Sequence, residues 1–215
     1  MVEYPPLILG EKYRLIFQGA EAKVYLGSLY GLKVILKWRF PKKYRIDSLD
    51  RIIRFGRTKR EVRSMIFARD QGVPTPFVFD VFNDSIVMEY IDGIKLHEYI
   101  AKTRNNEIVR KLASSIYKLH CAGITHNDLT VHNILIQNNT PFIIDFGLSK
   151  FTHRIEDFAI DLLVFKGSLI SSLNERGVEI FLKFSDSYKR LMGKNSNSIF
   201  RRIKLIEKRH RHVMV

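Results

Sequence analysis

The chain has 215 residues, of which 46% are apolar, and a formal net charge of +14, so we expect a folded globular protein of one domain or two small packed lobes. No stretch approaches the roughly 18 uninterrupted apolar residues of a membrane span, and the first residues lack a signal-peptide pattern, so we expect a cytoplasmic protein without a membrane partner. Cys121 is the only cysteine, which excludes an internal disulfide and a thiolate zinc cluster, and we expect it to lie in the core.

The first part of the chain has the pattern of an antiparallel sheet. Short β-branched and aromatic runs in YRLIFQGAEAKVYLGSLYGLKVILKWRF are separated by Gly19, Gly27 and Gly31, which predicts three strands. Further along, FVFDVF and SIVMEYI predict two more strands, with Asn83 and Asp84 in the turn between them.

A long amphipathic helix is predicted between these two groups of strands, from Ser48 to about Gln71. Basic residues fall mostly between apolar residues that recur at helical spacing, namely Ile52, Ile53, Val62, Met65 and Ile66. The helix is expected to end at QGVPTP, because Gly72 suits the C-cap and the prolines cannot continue a helix.

After Gly93 the pattern is mostly helical. Helices are predicted over LHEYIAKT and NEIVRKLASSIYKLHCAG, and from Glu156 onward, with two short strands, NILIQ and FIIDF, around the turn NNTP. The buried face of the second helix is predicted to carry Ile108, Leu112, Ile116 and Leu119. We therefore expect an α+β fold with a five-stranded lobe over residues 1–91, a mainly helical lobe over 92–215, and a ligand crevice between them.

Basic residues concentrate in two segments of the chain. Residues 37–63 contain eleven basic and three acidic side chains, and residues 199–215 contain six basic and one acidic, so together they carry +13 of the net charge. Such clustering favours a polyanionic partner, and nucleic acid is the first candidate. A solvated helix face and a basic tail are the alternative interpretation.

Three polar features are expected around the crevice. Asp128 and Asn133 stand in THNDLTVHNILI, Asp145 follows a strand in IIDFG, and Lys37 ends the strand KVILK. Carboxylate and amide oxygens are hard ligands suited to Mg²⁺, and magnesium implies phosphates. A lysine inside an apolar strand needs a counter-charge, and Glu61 in the middle of the long helix is well placed to supply it.

These residues resemble the motifs of protein kinases. HNDLTVHN is similar to the catalytic loop H-R-D-L-x-x-x-N, DFG is identical to the metal-binding tripeptide, and VILK resembles V-A-I-K on the third strand. Each match is weak alone, but their order and spacing together are specific. The resemblance implies a bilobal protein-kinase-like fold that uses ATP and Mg²⁺.

The resemblance also implies a role for each of these side chains. Asp128 would accept or orient the proton of the attacking hydroxyl or water, while Asn133 and Asp145 would hold the metal. Lys37, paired with Glu61, would bind the α- and β-phosphates of ATP.

The remaining nucleotide contacts are expected from a phosphate loop and an apolar pocket. The adenine is expected between Val24, Ile35 and Leu135, with Met88 at the back and the backbone from Glu89 to Ile91 pairing with its edge. These apolar side chains could equally be plain core. The phosphate loop would comprise Gly19, Ala20, Glu21 and Ala22.

The chain also departs from ordinary protein kinases. Its phosphate loop reads GAEAKVY, with Gly19 as the one glycine and Glu21 at the tip, where kinases have G-x-G-x-x-G. Only LSKFTHRIEDFAIDL follows DFG and no A-P-E occurs, so the activation segment that docks a peptide substrate is missing. Asn127 replaces the arginine of H-R-D, and His126 is expected to brace the loop rather than act as a base.

These departures resemble the small atypical Ser/Thr kinase of the KEOPS complex, over roughly residues 15–212. GAEA, RFPKKYR and the short passage from DFG to EDFAIDL are the most specific matches. The resemblance implies ATP hydrolysis, autophosphorylation on Ser or Thr, and a part in forming threonylcarbamoyladenosine at position 37 of tRNA. It also implies binding to the threonylcarbamoyl-transferase subunit and to a small regulatory subunit of the complex.

In such a protein the two basic segments would contact the tRNA backbone, since phosphate binding is electrostatic and largely indifferent to sequence. RHRH at residues 209–212 would touch tRNA or reach toward the crevice of the partner subunit. A disordered basic end is the alternative.

Three other functions fit parts of the pattern. A RIO-type kinase of ribosome maturation is also small, but that family usually alters the glycine of DFG and has different phosphate-loop residues. A sugar or small-molecule phosphotransferase commonly carries a helical insertion, for which this chain has little room. A pseudokinase or a tRNA-binding scaffold is disfavoured because the metal, lysine and catalytic-loop residues are all present.

Overall fold

The structure is a computed structural model that describes the backbone of residues 13–213 and the side chains of residues 13–209. Its first part is a five-stranded antiparallel sheet in the order β1-β2-β3-β5-β4. The bounds are β1 (Arg14–Gln18), β2 (Lys23–Leu29), β3 (Leu32–Trp38), β4 (Val78–Phe82) and β5 (Ser85–Glu89). The five predicted strands are all present, with the turn at Asn83 and Asp84 between β4 and β5.

The two faces of this sheet pack against different parts of the protein. Cross-strand partners share a face, and β3 pairs Lys37 with Val24 of β2 and Ile35 with Met88 of β5. On this face Met88 is part of the main hydrophobic core and Ile35 packs against it. The opposite face has a small core of its own, formed by Tyr25, Val34, Leu36, Trp38 and Val87.

The long predicted helix is α1 (Asp47–Asp70), followed by Gly72 in the left-handed conformation that a helix C-terminus favours. The predicted apolar face of this helix is wrong in part, because Ile52 is 69% exposed and Ile66 is 48% exposed. The buried positions carry mostly small and charged side chains, namely Asp50, Thr58, Glu61, Ser64, Met65 and Ala68. The inward face of α1 therefore serves ion pairs as well as apolar packing.

The second part of the chain is mainly helical. Its helices are α2 (Leu96–Lys102), α3 (Asn106–Cys121), α4 (Ile155–Leu173), α5 (Glu175–Met192) and α6 (Ser196–Val213). The predicted inner face of α3 is confirmed, since Ile108, Leu112, Ile116 and Leu119 are all buried. Cys121 is exposed, contrary to expectation, because it is the last residue of α3 and lies off that face.

Short strands connect the helices and shape the loops of this part. They are β6 (Ile94–Lys95), β7 (Ile124–Thr125), β8 (Ile134–Gln137), β9 (Thr140–Ile143) and β10 (Lys150–Phe151). The predicted hairpin is formed by β8 and β9, and Asn138 and Asn139 occupy its turn with positive φ. This hairpin connects the loop of Asp128 to the loop of Asp145.

One continuous hydrophobic core joins the sheet to the helices. It includes Met65 of α1 and Ile86 of β5, together with buried residues of α2 to α6. The fold is the mixed α+β, kinase-like arrangement that the sequence predicts. Among the described residues no helix combines the length and apolar character needed to cross a membrane.

Candidate active site

Lys37 makes two contacts with carboxylates from distant parts of the chain. Its Nζ donates hydrogen bonds to Oε1 of Glu61 at 2.8 Å and to Oδ1 of Asp145 at 2.7 Å. Lys37 and Glu61 are buried, whereas the side chain of Asp145 is about half exposed. Strand β3, helix α1 and the loop after β9 therefore place three of the predicted site residues in direct contact.

Arg39 provides Glu61 with a second cation that the sequence analysis did not identify. Its Nη2 donates to Oε2 of Glu61 at 2.6 Å, and both side chains are buried. A signal was available, since Arg39 stands two residues after Lys37 and an extended chain places such residues on the same face. Each oxygen of the Glu61 carboxylate thus has its own positive partner.

The charges of this cluster are stabilised by one another. Burial alone would lower the pKa of Lys37, but the nearby carboxylates of Glu61 and Asp145 outweigh this effect, so the pKa is raised. Burial acts to raise the pKa of Asp145, but the Lys37 ammonium and the N–H of Gly147 hold it below its ordinary value. Lys37 is therefore a firmly charged ammonium and Asp145 a firmly charged carboxylate at neutral pH.

The DFG turn holds Asp145 in a left-handed backbone conformation, with φ of 61°. Oδ1 of Asp145 accepts a hydrogen bond from the N–H of Gly147 at 3.2 Å. A Cβ at position 147 would lie 3.0 Å from this oxygen and 3.2 Å from Nη2 of Arg39. A side chain at this position would therefore crowd the side-chain ends of Asp145 and Arg39, two members of the ion-pair cluster.

The catalytic loop joins Asp128 to Asn133. The amide Nδ2 of Asn133 donates to the backbone oxygen of Asp128 at 2.9 Å and to its Oδ2 at 2.8 Å. With both of these bonds made by the amide nitrogen, Oδ1 of Asn133 is the group that can face a metal. The backbone oxygen of Asn133 accepts a hydrogen bond from the N–H of Ile144 at 2.9 Å. Because Ile144 directly precedes Asp145, this bond ties the backbone of Asn133 to the segment that carries Asp145.

Asp161 on α4 holds the catalytic loop through its backbone N–H groups. Its fully buried carboxylate accepts hydrogen bonds from the backbone N–H groups of His126 and Asn127, each at 2.6 Å. Asn127 has a positive φ of 60°, so the backbone turns sharply just before Asp128. Asp161 lies within EDFAIDL, and an acid inside an apolar helical segment is the sequence signal for such a buried role.

His126 has the contacts of a structural brace. It is fully buried, its Nε2 lies 3.0 Å from the backbone oxygen of Ile144, and its ring packs edge-on against Phe146. Asn127, at the position of the usual arginine, donates from Nδ2 to the backbone oxygen of Leu148 at 2.9 Å. These contacts fasten the catalytic loop to the DFG turn.

The phosphate loop is anchored to the first basic segment. The N–H of Gly19 donates to the backbone oxygen of Ala22 at 2.9 Å and closes the turn. The carboxylate of Glu21 forms an ion pair with Arg57 of α1, and Lys42 donates to the backbone oxygen of Ala20. The tip of the loop therefore points toward basic side chains within the chain.

Only some of the residues expected to form the adenine pocket are brought together by the sheet. The sheet register places Val24, Ile35 and Met88 on the face that carries Lys37. Leu135 is a half-buried residue of β8, and Ile91 is buried in the connection after β5.

The backbone of that connection is partly occupied. The N–H of Glu89 donates to the backbone oxygen of Phe77 at 2.8 Å, and that of Tyr90 donates to Lys33 at 3.4 Å. The backbone oxygen of Ile91 accepts from the N–H of Gly93 at 2.9 Å, so pairing with an adenine edge would have to use other groups of this connection, such as the N–H of Ile91.

Only some of the clustered basic residues are available to a partner. Within 37–63, the internal contacts use Lys37, Arg39, Lys42, Arg45, Arg54 and Arg57. The exposed ones are Lys43, Arg51, Lys59, Arg60 and Arg63. The second segment belongs to α6, on which Arg201, Lys204, Lys208 and Arg209 are exposed. The backbone of residues 209–212 is helical, whereas the side chains of His210, Arg211 and His212 lie outside the described residues.

The cavities beside two helices of the second part lie away from this cluster. Two cavities, of about 610 and 480 Å³, lie against α5 and α6 respectively and contain none of the predicted site residues. Within the described part of the chain, no three or more His, Cys, Asp or Glu side chains are grouped as metal ligands. The pair Asn133 and Asp145 supplies hard oxygen donors beside a buried ammonium, which suits Mg²⁺ with a triphosphate.

Comparison with known sequences identifies related proteins along nearly the whole chain. The family model described as "RIO domain" matches residues 34–159. A "probable serine/threonine-protein kinase BUD32 homolog" of Archaeoglobus fulgidus is 40% identical over 195 residues, covering 89% of this chain and 96% of the relative. A "KEOPS complex subunit Bud32" of Pyrococcus abyssi is 40% identical over 214 residues, covering 93% and 96%.

A longer relative contains a segment similar to this chain. A "probable bifunctional tRNA threonylcarbamoyladenosine biosynthesis protein" of Methanosphaera stadtmanae is 38% identical over 199 residues. The match covers 91% of this chain and 36% of that protein, so the chain spans little more than a third of its length.

Solved structures of low sequence identity share the fold. The Rio2 kinase of Chaetomium thermophilum, solved as an ADP/Mg²⁺-phosphoaspartate complex, matches with a TM-score of 0.64 at 17% identity. The match covers 92% of this chain and 71% of that one. At this identity the likeness establishes the kinase-like fold alone.

Proposed function

The chain belongs to the RIO-domain family and groups with the Bud32 kinases, and from this premise we propose that it is the Mg²⁺-dependent, ATP-hydrolysing Ser/Thr kinase subunit of a KEOPS complex. Its reaction would serve threonylcarbamoyladenosine modification at position 37 of tRNA, as the names of its relatives suggest. The observation that carries the proposal is the contact of Lys37 with both Glu61 and Asp145, in a chain that aligns with Bud32 kinases almost end to end.

Each cluster of the site has a task in phosphoryl transfer. Lys37, held by Glu61, would bind the α- and β-phosphates, and Oδ1 of Asn133 and the carboxylate of Asp145 would hold Mg²⁺. When bound, Mg²⁺ would neutralise negative charge on the phosphates. Asp128, fixed by Nδ2 of Asn133, would accept or orient the proton of the attacking hydroxyl or water.

The nucleotide would lie against the face of the sheet that carries Lys37. Val24, Ile35 and Met88 would contact the adenine, and Leu135 would cover it from the second lobe, whose boundary we place after residue 91. Backbone groups of Gly19 to Ala22 would cover the phosphates. The ion pair of Glu21 with Arg57 supports the proposal that this phosphate loop is held in place before the nucleotide binds.

The proposed partners are the threonylcarbamoyl-transferase subunit, the small regulatory subunit and tRNA, all in the cytoplasm. The printed names of the relatives, one a KEOPS subunit and one a bifunctional tRNA-modification protein, support this assembly. The exposed basic side chains of α1 and α6 support electrostatic contact with the tRNA backbone. These names favour the KEOPS function over a RIO-type kinase of ribosome maturation.

The test is magnesium-dependent ATP turnover by the chain alone, with the transferase and regulatory subunits, and with tRNA added. We expect turnover that the transferase subunit stimulates and that Lys37→Ala or Asp145→Ala abolishes. Turnover that survives in both variants would show that the assigned site is wrong. Turnover without any response to the transferase subunit or tRNA would argue against a KEOPS function.

A deletion separates the tRNA proposal from the catalytic one. Removing residues 208–215 shortens the last turns of α6 and removes Lys208, Arg209 and the residues beyond them. We expect weaker tRNA binding with an intact fold and intact basal turnover. An unchanged tRNA affinity would count against a role for this end of the chain.

A further inference from the structure

A buried row of three polar side chains leads from α5 to the catalytic loop. The hydroxyl of Tyr188 on α5 lies 2.8 Å from Nδ1 of His120 on α3. The opposite ring nitrogen of His120, Nε2, lies 3.3 Å from Oδ2 of Asp161 on α4. All three residues are buried, with at most 2% of their surface exposed. The row thus links three helices through groups that have no access to water.

Asp161, at the end of this row, holds the backbone of the catalytic loop by two hydrogen bonds. Its two oxygens accept the N–H groups of His126 and Asn127 at 2.6 Å each. Asn127 adopts a left-handed conformation, which asparagine tolerates better than most residues, and the two bonds hold the backbone at this turn. Asp128 follows directly, so a shift of the Asp161 carboxylate would move the backbone from which Asp128 projects.

The packing around His120 fixes the plane of its ring. The ring stacks on Phe158, with 4.8 Å between centroids and 26° between planes, and meets Tyr188 edge-on at 5.7 Å. Each ring nitrogen therefore has its own partner, Nδ1 facing the hydroxyl of Tyr188 and Nε2 facing the carboxylate of Asp161. What is left to determine is which nitrogen carries the proton.

The partners of His120 determine that proton's place. A neutral imidazole has one donor nitrogen and one acceptor nitrogen. Burial raises the pKa of Tyr188, so its hydroxyl keeps its proton and can donate to Nδ1. With Nδ1 as acceptor, Nε2 carries the proton and donates it toward Asp161. The other tautomer would turn the Nε2 lone pair against a buried carboxylate.

We propose that Tyr188 is a positioning residue for phosphoryl transfer. By donating to Nδ1 of His120 it selects the tautomer that supports Asp161, and Asp161 in turn holds the backbone of the catalytic loop ahead of Asp128. The activity readout of this inference rests on the proposed kinase function, whereas its structural readouts do not.

The first test is the protonation state of His120 in the wild-type chain. Side-chain ¹⁵N NMR should show a proton on Nε2 and none on Nδ1. A ring protonated on Nδ1 alone, or a doubly protonated ring, would overturn the proposal. This measurement needs neither a variant nor any enzymatic activity.

The second test is Tyr188→Phe, which removes one oxygen from a buried ring. We expect faster amide hydrogen exchange at His126 and Asn127, and kcat for ATP turnover lower by roughly 10-fold with little change in KM for ATP, because Asp128 is then less accurately positioned. The matched control is Tyr30→Phe, which removes a hydroxyl from a side chain that is 86% exposed between β2 and β3 and should change neither quantity.

The outcomes separate a failure of the positioning role of Tyr188 from a failure of the proposed kinase function. If Tyr188→Phe keeps the wild-type kcat and the wild-type exchange rates at His126 and Asn127, the positioning role is wrong. If the wild-type chain shows no ATP turnover under any condition, the proposed function fails, and the tautomer and the exchange rates still decide the role of Tyr188.

Discussion

Lys37 and Asp145 stand 108 residues apart in the sequence, yet Nζ of Lys37 lies 2.7 Å from Oδ1 of Asp145. Glu61 holds the same ammonium from α1, so strand, helix and DFG turn meet at one charged group. This contact places the predicted phosphate-binding cation beside the predicted metal ligand. The proposed chemistry depends on both remaining in this place.

Lys37→Met should lower ATP turnover by about 100-fold or more, because a preorganised charge on the transferring phosphates is worth several kcal/mol. The measurement is steady-state ATP turnover with Mg²⁺. Lys33→Met is the matched control, since Lys33 lies on the same strand but its side chain is 68% exposed, and it should leave turnover nearly unchanged. Equal activity of both variants with the wild type would contradict the role of Lys37.

Arg39→Met should destabilise the fold and reduce turnover together. The change leaves one oxygen of the buried Glu61 carboxylate without its charged partner, and loss of such a hydrogen bond costs about 2 kcal/mol. Chemical denaturation gives the free energy of unfolding. Arg51→Met, at an exposed position of α1, the helix that carries Glu61, is the control and should change this free energy little. A fully stable and fully active Arg39→Met protein would show that the Lys37 contact alone suffices to hold Glu61.

The stability contributed by Asp157 on α4 should depend on pH. Burial acts to raise the pKa of Asp157, but hydrogen bonds from Lys150 and Thr152 outweigh it, so its pKa is lowered in the folded state. Such a group stabilises the fold above its unfolded pKa of about 4, and the contribution is lost as the pH falls through the lower folded value.

The measurement is Tm for the wild type and Asp157→Asn between pH 7 and pH 3. The variant should melt at a lower temperature at pH 7, and the difference should shrink in the acidic part of the range. Asp186→Asn, at an exposed position of α5, is the control and should melt like the wild type at pH 7. A gap between Asp157→Asn and the wild type that widens on acidification would show that the sign of the pKa shift is wrong.

The tRNA proposal predicts charge effects at exposed positions of α1. The double change of Lys59 and Arg60 to Glu should weaken tRNA binding and lower the slope of log affinity against log salt by about 1 for each lost phosphate contact. Lys102→Glu, an exposed change on α2 outside both basic segments, is the control. If all these changes weaken binding equally, net charge rather than a defined surface governs the interaction.

The sequence predicted the elements that depend on local pattern. Glycine-separated apolar runs located β1 to β3, and the helical repeat of α3 located its buried face, because both patterns report short-range geometry and burial. The contact of Lys37 with Glu61 could also be anticipated, since a buried lysine needs a nearby acid.

Features that depend on tertiary partners were predicted poorly. The apolar repeat that predicts α1 includes Ile52, but Ile52 is exposed, and Asp50 and Glu61 are buried in ion pairs instead. The roles of Arg39 and Asp161 follow from groups on other elements that periodicity does not reveal. For the same reason the contacts of the adenine pocket remain a proposal.

The most direct test of the central claim is a crystal structure of the chain with Mn²⁺ and a non-hydrolysable ATP analogue. We predict anomalous density for the metal between Oδ1 of Asn133 and the carboxylate of Asp145, with the triphosphate against Lys37. Binding of the metal and nucleotide at another place on the protein, with Lys37 still paired to Asp145, would contradict the account.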